Sequence, residues 1–387
     1  MKFKALAIVV LLALLFAGCQ PFSEPAITSA PEVSFDWEAG IPLIPGGRTG
    51  YSRQGVSNRN FSVNTDTGIY YISTLDPFLL YIDGTSDRMI PVCNRPDCPH
   101  AAQNFTDYVS CNAYFPSLYG ITCIGDKIFV AHSSATDPLV VTRLDADGAN
   151  RQTVATMTSL IGAYDALAGV QLWDGILVFG VSSSSGDSGW SDQFYYYKLD
   201  GSMQAPQPCP SMGIMGNDAE RLIGYSAPDA TVHEWVPDAG GIHPLSSNFG
   251  FGYYGMEYAI IMEEGRVTKY TYSDQSKQAL IDTVFSGNCT VHVFPDCLVV
   301  NNKDSSGQHS LYFYNWEFEN IGQLLLEFPT QEYPAFLICG ETKHSIFLNT
   351  DENPLPDYRI DKATLGTQTI RLIALDYPYL PSLDGRD

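Results

Sequence analysis

Positive charge is scarce in this 387-residue chain, because Lys and Arg number 21 against 43 Asp and Glu. The formal net charge is −22 at pH 7. Proteins that bind nucleic acid present basic surfaces to the phosphates, so this balance excludes nucleic acid as an expected partner. The negative charge is expected to keep the protein soluble.

Signatures of catalysis are also missing. The sequence contains no Gly-x-Ser-x-Gly nucleophile elbow, and His233 and Glu234 continue into Trp-Val-Pro instead of completing a His-Glu-x-x-His zinc motif. The stretch GFGYYG (250–255) matches Gly-x-Gly-x-x-Gly, but a strand-like run follows where a dinucleotide site requires a helix. We interpret that stretch as a Gly/aromatic loop and assign no catalytic residue.

Long apolar runs are confined to the N-terminus. Residues 5–16 are apolar, follow Lys2 and Lys4, and are too few to span a bilayer comfortably. Two small residues then precede Cys19, in a pattern that resembles the bacterial lipobox. The resemblance implies a lipoprotein signal peptide over 1–18 and a diacylglycerol on the Cys19 thiol. The alternative is an ordinary secretory signal in which Cys19 is incidental.

Residues 19–35 are rich in Pro, Ser and Ala and have little apolar periodicity, which is typical of a flexible tether. Residues 36–387 contain no comparable linker and are predicted to form one domain. The expected location is the extracytoplasmic face of the cell membrane. There the protein is expected to be a monomer that is held by its lipid anchor.

Helical periodicity is rare in the predicted domain. Short β-branched and aromatic runs instead recur between clusters of Gly, Asp, Asn and Ser, which is the pattern of strands and turns. Examples are GIYYIS (68–73), DKIFVAH (126–132), GILVFGV (175–181) and HSIFLNT (344–350). The sequence therefore predicts an all-β fold.

The predicted strands recur as a unit of about four strands at a spacing of roughly 40 to 60 residues. One such unit cannot bury both faces of its small sheet, whereas units stacked around an axis bury each other. We predict a single seven-bladed β-propeller, with six or eight blades as alternatives. The positions taken as equivalent are Ile69, Ile128, Ile176, Leu222, Ile260, Leu298 and Ile346.

The segment LDADGANRQ (144–152) is similar to the Asp-x-Asp-Gly-x-Asn turns of TolB-like bacterial propellers. Asp, Asn and Gly tolerate the left-handed backbone of tight hairpins. A Ca²⁺ loop at Asp145 and Asp147 would need a bidentate carboxylate downstream, and none follows at the required spacing. We therefore interpret the segment as a turn.

The stretch CNRPDCPH (93–100), followed by Cys111, concentrates residue types that bind metals. Zn²⁺ takes four tetrahedral ligands, usually thiolate and imidazole. Cys93, Cys98, His100 and Cys111 could supply them, and a closed site of this kind is structural.

The same cysteines have a second interpretation. The sequence has nine cysteines, and loss of Cys19 to lipidation leaves an even number, which in an exported chain favours disulfides. Cys93 with Cys98 and Cys111 with Cys123 are the alternative pairs, and free thiols are a third possibility. The residues alone leave these alternatives open.

A resemblance favours the metal. The segment 93–100 and the later Cys111-Asn-Ala are similar to a family of β-propeller lipoproteins from Gram-positive anaerobes, in which Cys-Asn-Lys/Arg-Pro-Asp/Glu-Cys-x-His precedes a third Cys followed by x-Ala. The resemblance is specific over these residues and loose elsewhere, and it brings no assigned activity. Retention of His100 beside three cysteines implies a structural zinc that fixes the loop between the first two blades.

These observations predict a cell-surface binding or scaffolding module for a protein or glycan partner. The alternative is a propeller enzyme, such as a glycan lyase or hydrolase, with its active site on the propeller axis. Its candidate residues would be acidic groups and histidines predicted in loops, namely His233, His243, His292 and His309.

Overall fold

A computed structural model describes residues 62–65, 68–72, 77–85, 88–98, 111–134, 136–157, 161, 166–173, 175–184, 190–209, 213–217, 222–226, 231–236, 241–246, 252–254, 257–294, 296–326, 336–350, 358–367, 370 and 372–375. The predicted signal (1–18), tether (19–35), Cys19 and His100 lie outside the described residues. None of the described segments is a helix long and apolar enough to cross a membrane.

The described residues form an all-β structure of seven antiparallel four-stranded sheets, each built from four consecutive strands. We number the sheets in chain order. Sheet 1 contains β1 (Ser62–Asn64), β2 (Gly68–Ile72), β3 (Leu79–Asp83) and β4 (Met89–Pro91); sheet 2 contains β5 (Ser117–Ile124), β6 (Lys127–Ser133), β7 (Val140–Asp145) and β8 (Gln152–Thr156); sheet 3 contains β9 (Ala166–Trp173), β10 (Ile176–Ser184), β11 (Trp190–Lys198) and β12 (Gln207–Cys209). Sheet 4 contains β13 (Gly213–Asn217), β14 (Leu222–Ser226), β15 (Thr231–Val236) and β16 (Gly241–Ser246); sheet 5 contains β17 (Gly252–Tyr254), β18 (Tyr258–Glu263), β19 (Arg266–Thr271) and β20 (Lys277–Ala279). Sheet 6 contains β21 (Asn288–Val293), β22 (Leu298–Lys303), β23 (His309–Tyr314) and β24 (Asn320–Leu326); sheet 7 contains β25 (Phe336–Glu341), β26 (Ser345–Thr350), β27 (Tyr358–Asp361) and β28 (Leu372–Ala374).

The strand-and-turn pattern correctly predicted the all-β fold class. The seven positions taken as equivalent lie in β2, β6, β10, β14, β18, β22 and β26, which are the second strands of the seven sheets. A four-stranded antiparallel sheet of consecutive strands is the unit from which β-propellers are built.

Alternation along the middle strands explains how the sheets pack. In β22, Leu298 and Val300 join an apolar cluster with sheet 5, whereas Val299 points the other way into a cluster with sheet 7. In β2, Tyr70 packs with sheet 2 and Ile69 packs beside Phe347 of sheet 7. Successive side chains of a strand point to opposite faces, so a strand between two sheets carries apolar side chains on both faces.

Neighbouring sheets contact each other in chain order. β1 contacts β5, β5 contacts β9, β9 contacts β13, β13 contacts β17, and β17 contacts β21. Sheets 6 and 7 share an apolar cluster that contains Phe313 and Ile346. The last sheet also contacts the first, since β25 lies against β1 and β2.

Part of the acidic excess is used to form turns. The side-chain carboxylates of Asp83, Asp200 and Asp304 each accept a 2.8 Å hydrogen bond from the backbone N–H two residues later. Such Asx turns lower the pKa of Asp200 and Asp304, where Ser202 and Ser306 donate to the charged form.

Two local predictions are wrong. GFGYYG (250–255), interpreted as a loop, contains strand β17. A Cβ on Gly252 would lie 2.1 Å from the carbonyl oxygen of Ile260 on the paired strand, so glycine is required here inside a sheet. The candidate histidines were predicted in loops, but His233, His243, His292 and His309 lie in β15, β16, β21 and β23.

Candidate metal centre

The thiols of Cys93, Cys98 and Cys111 meet beside sheet 1, with all three sulfur atoms within 4.8 Å of one another. Cys93 and Cys111 are buried, and Cys98 is half-buried. The structure thus brings together three of the four predicted ligands, and the fourth, His100, lies outside the described residues.

The chain after β4 turns so that Cys98 faces Cys93. The N–H of Cys98 donates a 3.2 Å hydrogen bond to the carbonyl of Arg95, which closes a turn with Pro96 at its second position. Proline is favoured there because its ring fixes φ near the value that the turn requires. The half-buried Arg95 and the exposed Asp97 form an ion pair of 3.1 Å across the same turn.

A second turn presents Cys111. The N–H of Tyr114 donates to the Cys111 carbonyl over 3.2 Å, and the Ala113 amide donates to the Cys111 sulfur. The Ala113 carbonyl in turn accepts a 2.8 Å hydrogen bond from Leu79 of sheet 1. The Cys111 segment is therefore fixed to the same sheet that carries Cys93.

Two asparagine side chains also join the two cysteine segments. Asn112 Nδ2 donates a 2.8 Å hydrogen bond to Asn94 Oδ1. Because each asparagine is adjacent to a ligand cysteine, the contact holds the two turns in register.

The electrostatics of the three thiols favour a bound cation. The hydrogen bond with Cys93 raises the pKa of the Cys111 thiol, burial and the charge of Cys93 add to the rise, and the Ala113 amide opposes it. Buried thiolates that lie close together repel each other, which favours their protonated forms. A bound metal ion offsets this repulsion and keeps the ligands deprotonated.

The distances between the three sulfur atoms are also compatible with a metal ion bound by thiolates. Zinc lies about 2.3 Å from each thiolate, which places tetrahedral sulfur atoms about 3.8 Å apart. The observed cluster, within 4.8 Å, is compatible with that spacing. Cys93, Cys98 and Cys111 could therefore hold a metal ion. In the alternative pairing, Cys111 would be bonded to Cys123, but both are free thiols.

The turn over residues 145–151 covers this cluster from sheet 2. Gly148 has a φ of +86°, and Asn150 Nδ2 donates a 2.6 Å hydrogen bond to Asp145, as expected for a tight turn. A Cβ on Gly148 would lie 2.3 Å from the carbonyl oxygen of Val92 and 3.2 Å from Cα of Cys93. Sequence reasoning found the turn but gave no signal that it lies against the cysteines.

A buried ion pair lies elsewhere, where sheets 6 and 7 meet. Lys362 Nζ contacts Glu341 Oε2, and it lies 2.8 Å from Asp296 Oδ1. Burial raises the pKa of Glu341, and the charge of Lys362 opposes that rise. Sequence reasoning missed this cluster because 66 residues separate Lys362 from Asp296 and no motif marks them.

Of the four histidines named for an axial enzyme, the side chains of two are described. His292 and His309 are both buried within sheet 6. Burial lowers the pKa of His292 to about 3, which keeps it neutral. Over the described ranges, the three cysteines are the only group of three or more His, Cys, Asp or Glu side chains close enough to share a metal ion.

Comparisons with known proteins find structural similarity only at low sequence identity. No family model matches the sequence, and no curated protein matches it. A prolyl endopeptidase structure is 14% identical, with 88% of this chain and 52% of that chain covered and a TM-score of 0.49. An uncharacterised protein of Listeria monocytogenes is 13% identical over 66% of this chain and 93% of that chain, with a TM-score of 0.41. TolB from Acinetobacter baumannii is 12% identical over 67% of this chain and 63% of that chain, with a TM-score of 0.37. The chain spans about half the length of the prolyl endopeptidase that it matches.

Proposed function

We propose that the protein is a lipid-anchored β-propeller of seven blades that acts at the cell surface as a binding or scaffolding module for a protein or glycan partner. The observation that carries this proposal is the packing of the seven described sheets. Each sheet contacts the next in chain order, and sheet 7 contacts sheet 1. A diacylglycerol on Cys19 and a tether over 19–35 would hold residues 36–387 at the membrane.

Closure of the propeller would rest on side chains, because every described sheet consists of consecutive strands and none is completed by a strand from the other end of the chain. Ser345 Oγ donates to the Gly84 carbonyl over 2.6 Å, and Arg359 Nη2 donates to the Thr85 carbonyl over 3.1 Å. Asn64 Oδ1 accepts a 3.2 Å hydrogen bond from the N–H of Glu341. These contacts support a rigid body suited to presenting a surface.

The cysteine centre belongs to this architecture as a structural zinc site. Cys93, Cys98 and Cys111 would supply three thiolates and His100 the fourth ligand. With four protein ligands, the zinc has no open position for substrate, so it would stabilise the loop between sheets 1 and 2 without catalysing a reaction.

A binding role is preferred to an enzyme because the described candidate residues do not converge. His292 and His309 are buried inside one sheet, whereas an axial active site would need polar groups from several sheets to meet.

The test of location and role uses the full chain expressed in a Gram-positive host. We expect labelled fatty acid to be incorporated into the wild type and not into Cys19→Ser. Purified protein is then applied to a glycan array to identify a glycan partner. Protein partners are identified on living cells by proximity crosslinking followed by mass spectrometry. Absence of lipid, or turnover of an arrayed glycan, would contradict the proposal.

A further inference from the structure

We propose that Arg151, supplied by sheet 2, is a positioning residue of the cysteine centre. It orients the segment that carries Cys111 and brings a positive charge to the backbone of that segment. This inference rests on the metal centre proposed above and adds a residue from outside the ligand motif.

The geometry fixes Arg151 against the backbone that follows Cys111. Arg151 Nη1 donates a 2.7 Å hydrogen bond to the Tyr114 carbonyl and lies 3.5 Å from the Asn112 carbonyl. The guanidinium carbon lies 3.9 Å from the centroid of the Phe115 ring. One planar cation thus stacks on an aromatic face and contacts the Cys111 turn, which a lysine ammonium cannot do with the same geometry.

The described contacts of Arg151 are with carbonyl oxygens and an aromatic ring of the Cys111 segment rather than with a carboxylate. Within the described segments, Arg151 forms no ion pair with Asp or Glu. Burial lowers the pKa of Arg151, and the charge of Cys111 opposes that fall. A divalent zinc bound by the three thiolates carries a net charge of −1, and a neutral fourth ligand does not change it. A guanidinium beside that complex offsets the remaining charge.

The same turn also contacts the segment that carries Cys93. Gly148 packs against the backbone of Val92 and Cys93, and Tyr70 Oη donates to the Ala146 carbonyl over 3.2 Å. The turn over residues 145–151 therefore contacts both cysteine segments, and metal binding would be coupled to the packing of sheet 2 on sheet 1.

The consequence is measurable as metal affinity and as the pH at which metal is released. Loss of an outer partner of this kind typically weakens metal binding about 10- to 100-fold. Without the positive charge, protons compete better for the thiolates, so release should begin at a higher pH.

The experiment uses the full chain in detergent, loaded with zinc, as wild type, Arg151→Met and Arg151→Lys. Arg143→Met is the matched control, since Arg143 lies on the same hairpin and its guanidinium donates to Gln152 over 2.7 Å, within sheet 2. Affinity is measured by competition with a chromophoric chelator, and the pH midpoint of release by zinc-sensitive dye.

We expect Arg151→Met to bind zinc about 10- to 100-fold more weakly than Arg143→Met and to release it at a higher pH. Arg151→Lys should restore much of the pH midpoint but less of the affinity, because it keeps the charge and loses the stacking. A merely structural role would not separate these two readouts.

Affinity of Arg151→Met within twofold of Arg143→Met, with the same pH midpoint, would overturn this inference and leave the metal centre intact. A wild type that holds no zinc would overturn both. If Arg151→Met fails to fold, Arg151→Lys decides, because unchanged affinity and midpoint in that variant would overturn the role of Arg151.

Discussion

Arg151 donates a 2.7 Å hydrogen bond to the carbonyl oxygen of Tyr114, although 37 residues separate them. The contact joins a hairpin turn of sheet 2 to the backbone that presents Cys111. The candidate metal centre is thus built from two sheets, with its thiols on one and its outer support on the other.

The shape of that hairpin turn gives the first prediction. Gly148→Ala should weaken zinc binding and destabilise the protein, because the new methyl group would meet the Val92 carbonyl at 2.3 Å. Gly307→Ala is the control, since Gly307 also has a positive φ of +87° but nothing lies within 4 Å of its added Cβ. Both variants carry similar backbone strain from the positive φ. The difference between them in melting temperature and zinc affinity therefore measures the contact of residue 148 with Val92. Equal effects in both variants would show that the turn does not press on the cysteine segment.

The ligand cysteines give the second prediction. Cys111→Ser should lose most of the zinc and lower the melting temperature, because oxygen is a poorer ligand than thiolate for this metal. Cys289→Ser serves as control, since Cys289 is half-buried and its thiol donates to Asn302 Oδ1 at 2.9 Å, in sheet 6. Zinc content is measured by elemental mass spectrometry, and the melting temperature by circular dichroism. Full zinc content in Cys111→Ser would remove Cys111 from the ligand set.

The packing of sheet 7 on sheet 1 gives the third prediction. Phe347 is fully buried in a cluster with Ile69, Leu80 and Ile82 of sheet 1. Phe347→Ala should cost about 3–5 kcal/mol of unfolding free energy, because it removes apolar contacts and leaves a cavity. Leu325→Ala, at a position that is 50% exposed, should stay within about 0.5 kcal/mol. Denaturant unfolding checks this, and a mild effect at Phe347 would argue that the first and last sheets do not pack as described.

The buried ion pair gives the fourth prediction. Lys362→Met should destabilise the protein by up to about 3–5 kcal/mol, most strongly above about pH 8, the pKa to which burial raises Glu341, because the ionised carboxylate then has no buried cation. The double variant Lys362→Met with Glu341→Leu should recover most of that loss, since no buried charge remains. Lys277→Met, which removes an exposed pair with Glu263, should change stability little. A double variant no more stable than Lys362→Met would contradict the account.

Two buried histidines give the fifth prediction, on pH. Burial lowers the pKa of His132 to about 4 and that of His292 to about 3, below the unfolded value of about 6.5. The unfolded chain therefore takes up protons first as pH falls, and stability is lost from about pH 6.5 downward at about 1.4 kcal/mol per pH unit for each histidine.

The measurement is the unfolding free energy at several pH values between 6.5 and 4.5. His132→Gln should reduce the slope of unfolding free energy against pH by the contribution of one histidine. This holds even if the variant is less stable than the wild type at every pH. His344→Gln, at an exposed position, should leave the slope unchanged. A wild type with flat stability over this range would show that these histidines are not buried in their neutral form.

The fold class was predictable because its signal is local. Ile69 and Ile128 each sit in a short apolar run between turn residues, and the structure places both in second strands. The first strands were harder to predict, since β17 contains Gly252 where a close strand leaves no room for a side chain. Glycine looks the same in sequence whether it serves a loop or a crowded sheet.

The candidate site was predictable only as far as its ligands lie close in sequence. Cys93, Cys98 and Cys111 were named from spacing and chemistry, and their sulfur atoms do meet. Arg151 could not be found in this way, because its contact with Tyr114 depends on how sheet 2 packs beside sheet 1. Long-range partners of this kind leave no periodic or motif signal in a single chain.

The most direct test of the account is metal analysis of the full chain purified without chelator, combined with mapping of the cysteines by mass spectrometry. We predict one zinc per chain, with Cys93, Cys98 and Cys111 protected from alkylation until the metal is removed. Zinc well below one equivalent, together with disulfide-linked peptides that join Cys93 and Cys98, would contradict it.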